Sequence, residues 1–251
     1  IGFILPSFRG KASAFSPEWG NAVSFEADSR RIYGEMYAHL AARWVADGCL
    51  NHLVGLLVND PIALEAWHWL GFGLIAADGV RGLEPIAGRV VEVDIRRADV
   101  ADVDVVMSLL EGLQRQLAAA PTFLVSSVLD RAYYVTWLED PGRAMWLAYH
   151  GAQAVGCMGL GPANDDASTI IRDAETSSVL HTFTRPHVRG RGIATALLDR
   201  SLAWARGEGY VRCAVDFEPM NVLGARFWMR HFQPVCYSVM RCIDDRVAHK
   251  S

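Results

Sequence analysis

The stretch of the chain richest in chemistry is Thr184-Arg185-Pro186-His187-Val188-Arg189-Gly190-Arg191-Gly192-Ile193-Ala194-Thr195. Val179 to Phe183 predicts a strand running into it. An amphipathic helix runs out, because Ile193, Leu197, Leu198, Ser201, Leu202 and Ala205 recur at helical spacing up to Arg206. At such a junction the first helical amides have no intrahelical partner, and the helix dipole adds partial positive charge, so the turn suits an anion. Gly190 and Gly192 present no Cβ to keep a phosphate off the backbone, and Arg189 and Arg191 add charge-assisted donors. A bare Arg-Gly-Arg-Gly is usually a solvated turn. What favours the anion site is its setting, between a strand and a helix and upstream of a second helix capped by Asn221. The spacing fits neither the G-x-G-x-x-G fingerprint nor the phosphate loop G-x-x-x-x-G-K-[ST].

The elements that must position this turn have a recognisable order. Val211 to Phe217 alternates as a strand, and Asn221 opens a helix through Phe227 and Trp228. The first third of the chain has the same order. A helical stripe of Ile32, Met36, Tyr37, Leu40, Ala41 and Trp44 stops near Gly48. Leu53 to Val58 follows as a buried strand, and Asp60-Pro61 opens a helix that ends near Gly71. Gly48 and Gly209, Asp60 and Asn221, and Trp67 and Trp228 are each 161 residues apart, which an internal repeat explains economically. Gly79 to Arg89, rich in glycine and proline, is expected to be a linker between residues 1–78 and 90–251. Within the later segment we expect a strand at Val90 to Ile95 and a helix at Val103 to Leu117. Strands are also expected at Ala144 to Tyr149 and Ala154 to Leu160. The fold class is α/β (α+β), a mixed sheet flanked by helices.

Composition sets the outer bounds. Half hydrophobic and a fifth charged, with a formal charge of −4, the chain has no basic footprint for nucleic acid and no apolar run of membrane-spanning length. Its five scattered cysteines suggest neither a disulfide framework nor a zinc site, and a cytoplasmic location is the corresponding expectation. The chain opens on Ile1, and residues upstream of it are expected.

In these residues the chain resembles the GNAT superfamily of N-acetyltransferases. The signature [QR]-x-x-G-x-[GA] stands here as Arg189-x-x-Gly192-x-Ala194, and the run Asn221 to Val235 matches the family's next helix. The resemblance covers roughly residues 90 to 243 and implies a mostly antiparallel sheet. It further implies that amides of Gly190, Arg191, Gly192, Ile193, Ala194 and Thr195 hold the pyrophosphate of acetyl-CoA, as co-substrate. Thr182, Phe183 and Thr184 would pair with the pantetheine arm, and Asn221 would contact the cofactor. Many members place a proton-donating Tyr where this chain has Trp228, whose indole donates a hydrogen bond but is no practical acid. No metal is implied. The acceptor would be a small-molecule or peptide amine and the protein a monomer or homodimer.

Because an acceptor amine must lose a proton before attack, a nearby carboxylate is expected. Asp216, five residues before Asn221, is the first candidate base, with Glu218 and Glu175 as rivals near strand ends expected to flank a splayed cleft. For each, an exposed or salt-bridged surface carboxylate is the ordinary alternative. His181 in its apolar strand is either a proton relay or a core histidine. The tryptophans at helical spacing (Trp44, Trp67, Trp69, Trp204, Trp228) are expected in the core. In the first copy Ser29 and Arg31 stand at the offset positions of Gly190 and Gly192, so that copy is expected to have lost cofactor binding and to support its partner, closing one wall of the acceptor pocket. A non-catalytic CoA-binding or interaction module is the competing reading.

Overall fold

The computed structural model describes residues 2–24, 28–87, 91–126, 128–163 and 168–249. In chain order the strands are β1 (Phe3–Phe8), β2 (Lys11–Ser16), β3 (Asn51–Leu57), β4 (Gly73–Gly82), β5 (Asp94–Arg97), β6 (Ala144–His150), β7 (Gln153–Pro162), β8 (Thr176–Thr184), β9 (Arg212–Phe217) and β10 (Gln233–Cys242). The helices are α1 (Ser29–Ala46), α2 (Pro61–Trp69), α3 (Val103–Ala118), α4 (Arg131–Glu139), α5 (Ile193–Gly207) and α6 (Val222–His231). All ten strands join one sheet, ordered β1-β2-β3-β10-β4-β9-β8-β7-β6-β5. It is mostly antiparallel; β2–β3 and β8–β9 are its parallel pairs.

Helix starts follow the capping chemistry in the sequence. Asp28, Asp60, Asp130 and Asn221 each accept a hydrogen bond from a first-turn amide, of Arg31, Ala63, Ala132 and Gly224 respectively. Each such cap stabilises its helix by about 1 kcal/mol. The start of α5 differs: its N-cap is Gly192, with no side chain to cap it.

Burial explains the layering. On β6, Trp146 and Ala148 face α5 and α6, packed with Leu197, Leu198, Leu202, Val215, Phe217 and Trp228. Met145 and Leu147 face the other way, toward α3 and α4, with Leu109, Leu110, Trp137 and Phe183. A third core around Trp67 holds α1 and α2 on the far part of the sheet through Tyr33, Tyr37, Trp44 and Phe72. Trp69, expected inside, is 69% exposed beneath the Arg30 guanidinium.

The run α1–β3–α2–β4 and the run α5–β9–α6–β10 share one element order. Asn51 and Arg212 open β3 and β9, and Pro61 and Val222 open α2 and α6, each pair again 161 residues apart. The closing strands are exchanged: β10 inserts between β3 and β4, and β4 pairs with β9. The expected linker needs correction, because Gly79 to Gly82 lie within β4 and pair with Val215 to Arg212. These glycines serve packing, since a Cβ on Gly79 would stand 3.0 Å from the Phe232 side chain. Gly88 to Val90 lie outside the described residues, and the strand expected at Val90 to Ile95 is β5, shifted to Asp94–Arg97. No sequence pattern pointed to β2, β4, β10 or α4.

His52 is fully buried in the α1–α2 core. Its Nε2 donates to the Cys49 carbonyl at 3.1 Å, so its Nδ1 accepts from the Tyr37 hydroxyl at 2.8 Å and the ring is neutral. Burial holds its pKa below the ordinary imidazole value of 6.5, against the Cys49 hydrogen bond and with the Arg241 charge. The unfolded chain therefore binds this proton more readily, so the stabilisation is full above pH 6.5 and is lost as pH falls through the folded value. We predict that wild type loses more unfolding free energy than His52→Asn between pH 7 and pH 5. Urea titrations of both proteins check this; parallel pH profiles would contradict it.

Candidate active site

The site is built on an opening between two parallel strands. β8 and β9 pair from Thr176–Arg212 to Val179–Val215 and then part. His181 to Thr184 keep β7 on one side, and from Leu180 on β8 has no strand partner on the other among the described residues. An irregularity in the β7–β8 register, between Gly159 and Leu160, falls where the parting begins. β9 instead continues alongside β4, where Asp216 pairs with Asp78 and Phe217 with Ala77.

Beyond the opening lies the glycine turn. Gly190 and Gly192 have φ of +74° and +88°, the left-handed region that favours glycine, and a Cβ on Gly192 would meet Val91 Cγ1 at 3.1 Å. This backbone turns the Ile193, Ala194 and Thr195 amides outward at the uncapped start of α5. Together with Thr182 to Thr184, Gly190 to Thr195, Asn221 and Trp228, they line a cavity of about 880 Å³. Every residue expected to hold a cofactor is therefore on one wall or another of a single cavity. Thr182 Oγ1 and Thr184 Oγ1 are buried there without a hydrogen-bond partner, unsatisfied groups of the kind a polar ligand would complete.

A polar bridge crosses the cavity. Arg189 donates to the Thr184 carbonyl at 2.9 Å and to Gln116 Oε1, its guanidinium lying over the Phe183 ring. Gln116 in turn donates to Asn221 Oδ1 at 3.3 Å. Gln116 and His231 also line the cavity; Gln116 belongs to no motif, and His231 lies within the run Asn221 to Val235 but was not singled out, each coming from near the end of its helix. Trp228 is buried between Phe227 and Phe232.

The candidate carboxylates separate. Asp216 is the first β9 residue past the last β8–β9 pair, at the foot of the opening, and Glu218 follows the end of β9. Glu175 does not flank the opening. It precedes β8 at the closed end, where its carbonyl accepts from Val211 N at 2.9 Å, and a strand of this length sets it roughly 30 Å from Thr184. The misplacement has a simple cause: β8 and β9 start together and diverge only later, so their N-terminal ends cannot line the gap. His181 stacks against Tyr134 and Trp137, and burial, reinforced by Arg143, pulls it down to about 4, so it is neutral near pH 7. Asp78, which no sequence motif singles out, is buried opposite Asp216. Among the described residues no group of His, Cys, Asp and Glu is arranged to hold a metal ion.

The earlier run of the same element order differs where the cavity would be. At the start of α1, Asp28 supplies a carboxylate to the Arg31 amide, occupying the position an anion would take. β2 and β3 pair up to Ser16–Val54, and beyond them the chain's own Pro17–Gly20 segment fills the gap. Asn21 donates to the Gly55 carbonyl at 3.0 Å, and a Cβ on Gly55 would strike Glu18 N at 2.9 Å.

Comparison with known proteins agrees with this geometry. Residues 112–232 match the family model described as the Acetyltransferase (GNAT) family. An uncharacterized N-acetyltransferase of Mycobacterium tuberculosis is 31% identical over 116 residues, 45% of this chain and 69% of that protein. N-acetyltransferase 8B of Rattus norvegicus is 30% identical over 87 residues, 35% of this chain, which spans 37% of the rat protein's length. In fold, a GCN5-related N-acetyltransferase from Sphaerobacter thermophilus superimposes over 96% of this chain and 76% of its own, with a TM-score of 0.64 at 15% identity. With the signature turn, the parted strands and the matched residues in agreement, the chain belongs to the GNAT acetyltransferase family.

Proposed function

We propose that this chain is an acetyl-CoA-dependent N-acetyltransferase that passes an acetyl group directly to a primary amine, on a small molecule or a peptide. The observation carrying this reading is the cavity that joins an unpaired strand edge, Leu180 to Thr184, to an uncapped helix start at Gly192. A strand edge suits the amides of a pantetheine arm, and exposed first-turn amides suit a pyrophosphate. In this reading, the Gly190–Thr195 amides hold the diphosphate, with Arg191 adding charge, and the β8 edge aligns the arm. Arg189 and Gln116 release Asn221 as the arm enters. Acetyl-CoA, when bound, supplies the activated thioester.

Asp216 takes the proton from the acceptor ammonium, freeing the nitrogen lone pair for attack at the foot of the opening. Trp228 supplies no proton. A thiol with an ordinary acidity near 8.5 departs adequately as thiolate and takes its proton from water. We further propose that the two runs are tandem units. The first extends through β4 to Gly82, has lost its own cofactor cleft and supports the second, in a reducing, cytoplasmic setting.

Two outcomes follow. Gly192→Val places a β-branched residue at φ +88° and removes the close approach to the turn. Its affinity for CoA, measured by calorimetry, is expected to fall by about a hundredfold, roughly 2.7 kcal/mol, with the fold retained. Unchanged affinity would place the cofactor elsewhere. Asp216→Asn is expected to lower kcat/KM for amine acetylation by about a hundredfold with CoA affinity preserved, whereas Glu175→Gln leaves both near wild type. Tight CoA binding with no turnover of any amine would favour a non-catalytic CoA-binding module.

A further inference from the structure

The first run supplies more than a wall. β4 lies directly beside β9, and Asp78 and Asp216 are partners in the antiparallel register, so their side chains leave the same face of the sheet. The next pair, Val80 and Ala214, fixes which face this is: both pack with Ile171, opposite the α5–α6 core that takes Val215 and Phe217. Asp216 stands at the foot of the opening, one residue past Val215. Asp78 is 3% exposed, too enclosed to touch a substrate, and one of its oxygens accepts from the Ser168 amide at 3.2 Å. Like charges directly opposite in a sheet are unfavourable, so the arrangement costs stability.

The other acidic and titratable groups facing Asp78, among the described residues, are Glu18 and Cys236. Glu18 Oε1 accepts from the Thr169 hydroxyl and from Ile170 N at 2.9 Å. Cys236 on β10 is the register partner of Asp78 on its other side, a buried thiol pushed up to about 12. Burial, together with the Asp216 and Glu18 charges and against the Ser168 hydrogen bond, raises Asp78 to about 6.

We propose that Asp78 is a positioning residue for acetyl transfer: its carboxylate, contributed by the first half of the chain across β4–β9, sets the proton affinity of Asp216. This inference rests on the amine-acetylating reading. With Asp78 ionised, its negative charge makes Asp216 a stronger base. One ammonium N–H bond breaks as its proton passes to an Asp216 oxygen. The freed lone pair forms the N–C bond to the acetyl carbon, the C–S bond breaks with its electrons leaving on the CoA sulfur, and the nitrogen's second proton goes to solvent. The pairing also gives a reason for the strand exchange: a C-terminal segment alone, without β4, lacks this neighbour.

The test compares wild type with Asp78→Asn and Asp78→Glu in the full chain, using acetyl-CoA and the fastest acceptor among spermidine, kanamycin and alanine amide. The acid limb of kcat/KM in Asp78→Asn is expected to move down by about one pH unit, with a rate loss of roughly tenfold at pH 7 and unchanged donor KM. Asp78→Glu, which keeps the charge, returns the limb toward wild type. Identical acid limbs in all three proteins would overturn the proposal, since a purely structural role would leave the limb in place. Should no amine be turned over, carbon NMR of aspartate-labelled protein reads the same coupling. The Asp216 midpoint is expected to fall in Asp78→Asn, and the Asp78 midpoint to fall in Asp216→Asn; midpoints that ignore each other refute the pairing. Failure to bind CoA at all would count against the acetyl-transfer reading and leave this coupling to be decided by the NMR result.

Discussion

The structure depends on two parallel strands that pair for four residues and then part. From Thr176 to Val179, β8 is held by β9; from Leu180 on, one edge of its backbone has no strand beside it among the described residues. A strand edge inside a protein is a liability unless something completes it. Here the completing group is expected to be a ligand. The orphaned Thr182 and Thr184 hydroxyls and the uncapped amides at Gly192 belong to the same cavity, so one extended, anionic molecule would answer all three deficits.

The contrast within the chain sharpens this. The same architecture occurs earlier, with β2 parallel to β3 and α1 following, but each deficit is met internally. Asp28 caps the helix, and Asn21 and the Pro17–Gly20 segment occupy the space beside β3. Two similar frameworks thus differ in whether local side chains meet the backbone's open hydrogen-bonding groups. The first run also joins the second structurally, because its last strand, β4, backs β9 and places Asp78 beside Asp216 at the foot of the opening. His52 shows the same internal satisfaction, a buried imidazole whose two nitrogens are met by Tyr37 and Cys49 within the first run.

Much of the site was legible because it rests on local chemistry. Asn221 announces a cap, Gly190 and Gly192 announce a backbone that only glycine adopts easily, and the stripe from Ile193 to Ala205 announces the helix; all three stand where expected. The offset of 161 residues was likewise visible in caps and terminating glycines. What stayed hidden depends on contacts between distant segments. Nothing local in Gly73–Gly82 advertises a central strand, because its glycines serve close packing against Phe232 and mimic a linker. The insertion of β10 between β3 and β4 is a non-local choice that alternation cannot reveal. Glu175 was misjudged because the sequence shows that it borders a strand but not which end of a parallel pair opens, and Asp78 was overlooked because its importance lies wholly in its neighbour on β9.

The most direct test of the central claim is backbone amide hydrogen exchange with and without CoA. CoA is expected to slow exchange at Thr182 to Thr184 and Gly190 to Thr195, and to leave Ala12 to Glu18 and Ser29 to Tyr33 unchanged. Protection centred on the earlier segment, or none at the glycine turn, would contradict it.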